Sequence, residues 1–181
     1  MNDIEIYRLA EQFKSAIEVA RDSGLFVGDP FENFPHGCCG DTSYLLAEFF
    51  RSKGLESVYV CGEDYSNQTH AWLVIKDEHI NIPKPDYFDI PDDIRTVLNS
   101  YSNGAYSTPI DISHYTEDDV MNGLIVDITA DQFGESPVYV GYSCNFYRRF
   151  EFREASDYAD LYNCRLRYIY QTVLQHLADI P

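Results

Sequence analysis

Basic residues are scarce in this chain: thirteen Lys and Arg stand against thirty Asp and Glu, a formal charge of −17. With a pI near 4.4 the surface repels phosphate backbones and anionic lipid, which excludes nucleic acid and membranes as expected partners. A basic partner or a cationic peptide would be attracted, although solubility alone accounts for such a charge. Long apolar runs are also missing, and none approaches the roughly 18 to 20 residues of a membrane-spanning helix. The start Met1-Asn2-Asp3-Ile4-Glu5 lacks the basic and apolar stretches of an export signal, so the expected compartment is the cytoplasm. Five cysteines, an odd number without regular spacing, exclude a disulfide framework. Cys38-Cys39 lacks the two-residue gap of a zinc knuckle, and His79 and His114 are too far apart for a ligand pair, so no metal or cofactor is expected. There is no internal repeat.

What is present suits one globular domain spanning residues 1–181: 45% hydrophobic and 15% aromatic residues over 181 positions are enough for a full core. The stretch that organises it is Phe34-Pro35-His36-Gly37-Cys38-Cys39-Gly40-Asp41-Thr42-Ser43-Tyr44-Leu45-Leu46. Pro35, Gly37 and Gly40 bend the backbone, and Leu45, Leu46, Phe49 and Phe50 then recur at helical spacing. Both cysteines fall at the start of that helix, where unpaired N–H groups and the dipole favour a thiolate below the free value of about 8.5. Small buried hydrophobes are the plain alternative for both.

Two downstream strands weigh against it. Thr69-His70-Ala71-Trp72-Leu73-Val74-Ile75 carries a histidine near its start, and Leu124-Ile125-Val126-Asp127-Ile128-Thr129 carries one acid in an apolar run. A thiol on a helix end, a histidine and a carboxylate are what a cysteine nucleophile, its base and an orienting group require. Trp72 shares strand parity with His70 and is the candidate substrate-binding wall, with core packing as the alternative. His36, in the loop before the cysteines, is expected to be an exposed loop residue, and Cys61 a core residue of its strand.

Around these motifs the pattern predicts an amphipathic helix over residues 3–23 stopped by Gly24, and a strand over 57–62 that pairs with the His70 strand as a hairpin. A further strand follows over 137–141, and a closing helix over about 155–178. Residues 76–123, with Pro83, Pro85, Pro91 and Pro109, read as an insertion. Its ends are expected to emerge beside the thiol, so that it acts as a lid and contributes nothing to the core.

The three motifs Gly37-Cys38-Cys39, His70-Ala71-Trp72 and Asp127-Ile128-Thr129 resemble the transglutaminase-like branch of the papain-like cysteine enzymes, over roughly residues 33–133. The resemblance implies an α+β fold with a papain-like core, the nucleophile helix packed on a small antiparallel sheet, here with N- and C-terminal helices. Its Gly-x-Cys spacing selects Cys39 over Cys38 as nucleophile, with His70 as base and Asp127 orienting it. It further implies thioester chemistry on amide bonds of a peptide or protein substrate, as peptidase or glutamine deamidase. Asn33, six residues upstream, is the candidate side-chain donor to the oxyanion, where such families usually have glutamine. Two other functions stay open: a catalytically silent, immunity-like protein that binds a basic partner, and a small-molecule acyltransferase, for which no basic cluster is present.

Overall fold

The computed structural model describes residues 1–76, 87–88, 110–111, 115–157 and 164–177, with 87–88 and 110–111 described by their backbone alone. Helix α1 (Asp3–Asp22) begins in a capping box: the Asn2 side chain accepts the Glu5 N–H at 3.0 Å, and the Glu5 carboxylate accepts the Asn2 N–H at 2.9 Å. Its buried stripe of Ile6, Ala10, Phe13, Ala16, Ile17 and Ala20 follows the expected period. A 3₁₀ turn, Pro30–Asn33, leads to helix α2 (Cys39–Ser52), which buries Leu45, Leu46, Phe49 and Phe50.

After α2 come the hairpin strands β1 (Ser57–Glu63) and β2 (Thr69–Ile75). Two-residue strands β3 (Tyr87–Phe88) and β4 (Ile110–Asp111) pair with each other. Helix α3 (Glu117–Met121), β5 (Leu124–Asp127), β6 (Tyr139–Gly141), β7 (Glu151–Asp157) and helix α4 (Cys164–Leu177) complete the described elements. The main sheet is antiparallel throughout, in the order β6-β5-β2-β1-β7. The fold is thus α+β, with one five-stranded antiparallel sheet and four α-helices among the described residues.

Both faces of the sheet are covered, which is why β2 reads as a continuous apolar run. Ala71, Leu73 and Ile75 pack with Phe13, Leu45 and Phe49 on the helical side. Trp72 and Val74 pack on the other side with Phe146, Tyr147 and Phe150. At the β-bulge between Cys61 and Gly62, the chain of β7 comes so close that a Cβ on Gly62 would lie 2.8 Å from that of Phe150 and 3.1 Å from the Glu151 carbonyl. Only glycine fits there.

Two expectations need correction. The described part of the closing helix is Cys164–Leu177, and residues 151–157, where that helix was expected to start, form the edge strand β7. Its sequence Glu-Phe-Arg-Glu-Ala-Ser-Asp is charged, as suits an edge, and gave no β-branched signal. Residues 158–163 lie outside the described residues.

The insertion is also not rooted beside the thiol. Ile75, which ends β2, is the register partner of Leu124, which starts β5. His70 lies five residues away at the other end of β2, roughly 17 Å at about 3.4 Å per residue. An antiparallel pair joins the start of one strand to the end of the next, so His70 and Asp127 meet at one end of the sheet while the long connection leaves from the other. Nor is all of the segment outside the core: Tyr115 and Val120 are buried, and Tyr115 donates to Asp157 at 2.5 Å. Apart from β3 and β4, residues 77–114 lie outside the described residues, and the expected lid with them.

Candidate active site

The β2–β5 register stops at Leu73↔Val126, so residues 69–71 of β2 have an edge that β5 does not cover. The first turn of α2 lies against that notch. Gly37, in the left-handed conformation at φ +71°, turns the chain, Cys38 caps the helix, and Cys39 is its first residue. The two thiols part here. Cys38 is buried in the helical core, where its sulfur reaches the Pro35 carbonyl at 3.4 Å, and burial pushes its pKa up to about 12. Cys39 is half-buried and lines an open cleft of about 290 Å³ together with Gly37, Tyr59, Cys61, Thr69 and His70.

The Cys39 sulfur interacts with the His70 ring and with the backbone N–H groups of Ala71 and Gly40. Burial acts to raise its pKa, but the proximity and charge of His70, followed by the two N–H groups, bring it below the usual thiol value. His70 is fully buried, and its Nε2 donates to Oδ2 of Asp127 at 2.7 Å. Its other nitrogen, Nδ1, is buried and makes no hydrogen bond, and Cys39 acts on the ring as its electrostatic neighbour. Burial acts to lower the pKa of His70; the charge and hydrogen bond of Asp127, then the neighbouring Cys39, carry it up to about 9. These shifts are mutually consistent. Both favour a thiolate beside an imidazolium.

Asp127, the last residue of β5, is also buried. Its Oδ1 accepts the N–H and the hydroxyl of Thr129 at 2.8 and 2.9 Å, and its Oδ2 accepts the phenol of Tyr147 at 3.1 Å as well as His70. Burial would raise its pKa, yet the charge and bond of His70 and the two bonds from Thr129 hold it below the ordinary carboxylate value. Aromatic rings surround the imidazole: Phe133 at 5.0 Å, Phe150 at 5.3 Å, and Trp72 and Phe146 at 5.7 Å between centroids. The Arg149 guanidinium caps three of these rings at 4.5–5.0 Å. The histidine and aspartate are therefore dry, while the sulfur faces the cleft.

More distant groups hold the pieces in place. Arg165 at the start of α4 binds Asp29 through two bonds, at 2.5 and 3.0 Å, and Asp41 in the first turn of α2 at 2.7 Å. Lys14 on α1, itself buried, donates to the Ile128 carbonyl at 2.8 Å and to Asp131 at 2.9 Å, and so fixes the chain just after Asp127.

The structure thus brings together Cys39, His70 and Asp127. It does not bring Asn33 or Trp72 to the cleft. Asn33 is exposed, and its carbonyl accepts the N–H of His36, another exposed residue. The side-chain amide that does reach the cysteine turn is Gln132, whose Oε1 accepts the Gly37 N–H at 3.5 Å and whose Nε2 is buried without a partner. Trp72 is buried behind His70, against Tyr147 and Phe150. Cys61, read as a core residue, is half-buried and lines the cleft. Tyr147 and its aromatic neighbours were missed by the sequence reading; the run Phe146-Tyr147-Arg148-Arg149-Phe150 was the signal available. Among the described residues no three His, Cys, Asp or Glu side chains gather as a metal site. No helix among the described residues is long and apolar enough to cross a membrane.

No family model, curated protein or solved structure matches the chain.

Proposed function

We propose that this protein is a cysteine hydrolase of amide bonds, working through a thioester on Cys39, and that its nucleophile helix and sheet form a transglutaminase-like, papain-like core. The observation that carries the reading is the buried His70–Asp127 pair at 2.7 Å, with the other face of the imidazole left to a half-exposed thiol on a helix end. In this mechanism His70 holds the proton of Cys39, and the thiolate attacks the carbonyl carbon of a peptide or glutamine side-chain amide. The tetrahedral oxyanion takes the N–H of Cys39, one of the first-turn donors without a helical partner, with Gln132 as the neighbouring side-chain amide. The imidazolium gives its proton to the departing amine or ammonia, leaving a thioester. Water, deprotonated by the same imidazole, then attacks the thioester and restores the thiol. Substrates are peptides or proteins, and the free thiols suit a reducing compartment such as the cytoplasm.

The test is incubation of the protein with a peptide pool containing glutamine, followed by mass spectrometry. Cleaved or deamidated products that vanish in Cys39→Ala, with an acylated Cys39 trapped on acid quench, are expected. A pool left unchanged, with no acyl adduct on Cys39, contradicts the proposal.

A further inference from the structure

Asp127 receives one donor that a thiol–imidazole–carboxylate set does not require. The Tyr147 phenol, on a 3₁₀ turn that follows β6, donates to the same oxygen, Oδ2, that holds His70. Tyr147 is buried and its ring is fixed by Trp72 at 5.3 Å, Tyr139 at 5.0 Å and Phe146 at 4.9 Å. With Thr129 occupying Oδ1 twice, the carboxylate accepts four hydrogen bonds and cannot rotate without losing them. Two donors on one oxygen share its negative charge, and in a water-free surrounding that sharing is felt strongly by the imidazole.

We propose that Tyr147 is a positioning residue for the Cys39–His70 pair: its phenol holds Oδ2 of Asp127 toward His70 and draws part of that oxygen's charge away from the imidazole. This role rests on the thiol reading above and regulates the same site. The charged and titratable groups that act on His70 are Asp127 from β5 and Cys39 from α2, while the Arg149 guanidinium lies over the rings of Phe133, Phe146 and Phe150. Those around Tyr147 are Asp127, Tyr139 and Cys144. Burial pushes the phenol's own pKa far up, so it remains a protonated donor throughout the working range. Without the hydroxyl, Oδ2 presents its full charge to Nε2, and the imidazolium keeps its proton to higher pH.

The experiment follows the His70 ring by nitrogen-15 NMR in the full chain labelled at histidine, with the signal assigned through His70→Gln. Two variants perturb Tyr147 in opposite directions while retaining its ring: Tyr147→Phe removes the donor, and site-specific 3-fluorotyrosine makes it a stronger one. The His70 titration should rise by about half a pH unit or more in the first and fall in the second. A titration unmoved in both, or displaced in the same direction by both, overturns the proposal; a purely structural phenol would lower the melting temperature and leave the titration in place. Because the measurement reads the imidazole and not turnover, it is independent of the peptide assay, whose failure would show as an unreactive Cys39.

Discussion

Nε2 of His70 and Oδ2 of Asp127 lie 2.7 Å apart, with side chains 0% and 1% exposed. A buried ring and a buried carboxylate at that distance form a unit: each stabilises the charged form of the other and neither has water as a substitute. Asp127→Asn keeps the shape and removes the charge. The folded structure should persist by circular dichroism, while Cys39-dependent turnover falls by roughly 10²- to 10⁴-fold, the usual range for a lost acid–base partner. Undiminished turnover would remove Asp127 from the mechanism.

The same pair makes stability depend on pH. His70 is raised from 6.5 to about 9, so its charged form stabilises the fold fully below 6.5, and this contribution is lost as the pH rises through about 9. In Asp127→Asn the larger source of the raised value is gone, and only the smaller contribution of Cys39 remains. The stability gap between wild type and this variant, measured by urea unfolding, should therefore be on the order of 2–3 kcal/mol at neutral pH and shrink toward pH 10. A gap that is constant from pH 6 to 10 contradicts the charge assignment.

The elements with strong periodicity were legible. Helix α1 was expected over residues 3–23 and runs Asp3–Asp22; the cysteine helix, the hairpin and the Asp127 strand also fall where alternation and breakers put them. Strand β7 was not legible, because an edge strand of charged residues has no apolar alternation to find. The Cys38-Cys39 pair, His70 and Asp127 could be picked out because each breaks its local pattern, while the choice of Cys39 came from the Gly-x-Cys resemblance. Tyr147 could not, since a tyrosine among aromatics breaks nothing; only the fold brings it to Asp127, and only the fold brings the Gln132 amide to Gly37. The insertion was misplaced for a topological reason: the sequence showed its length but not which end of β2 it left from.

Gly62 is where three elements crowd, with Phe150, the Glu151 carbonyl and Trp72 all within 3.3 Å of where a Cβ would stand. Gly62→Ala must push β7 or Trp72 aside, and should cost about 1–3 kcal/mol by overpacking. Thermal unfolding checks this, and an unchanged melting temperature would mean that the bulge yields freely.

Lys14 sits on a core helix because its ammonium satisfies the Ile128 carbonyl and Asp131. Lys14→Met retains the stem but orphans that buried carbonyl. A loss of about 1.5–3 kcal/mol is expected in denaturant unfolding. A variant as stable as the wild type would show that the apolar stem alone accounts for the position.

The central claim is that Cys39 ionises below the ordinary thiol range while its neighbour Cys38 is inert, and it is tested most directly by the pH dependence of alkylation. Native protein is pulsed with iodoacetamide from pH 5 to 10, and each cysteine is quantified by peptide mapping. The account predicts labelling of Cys39 with a midpoint well below the free-thiol value of about 8.5, and no labelling of Cys38 until the protein unfolds. Cys39 titrating at or above that value, or Cys38 reacting first, would contradict it.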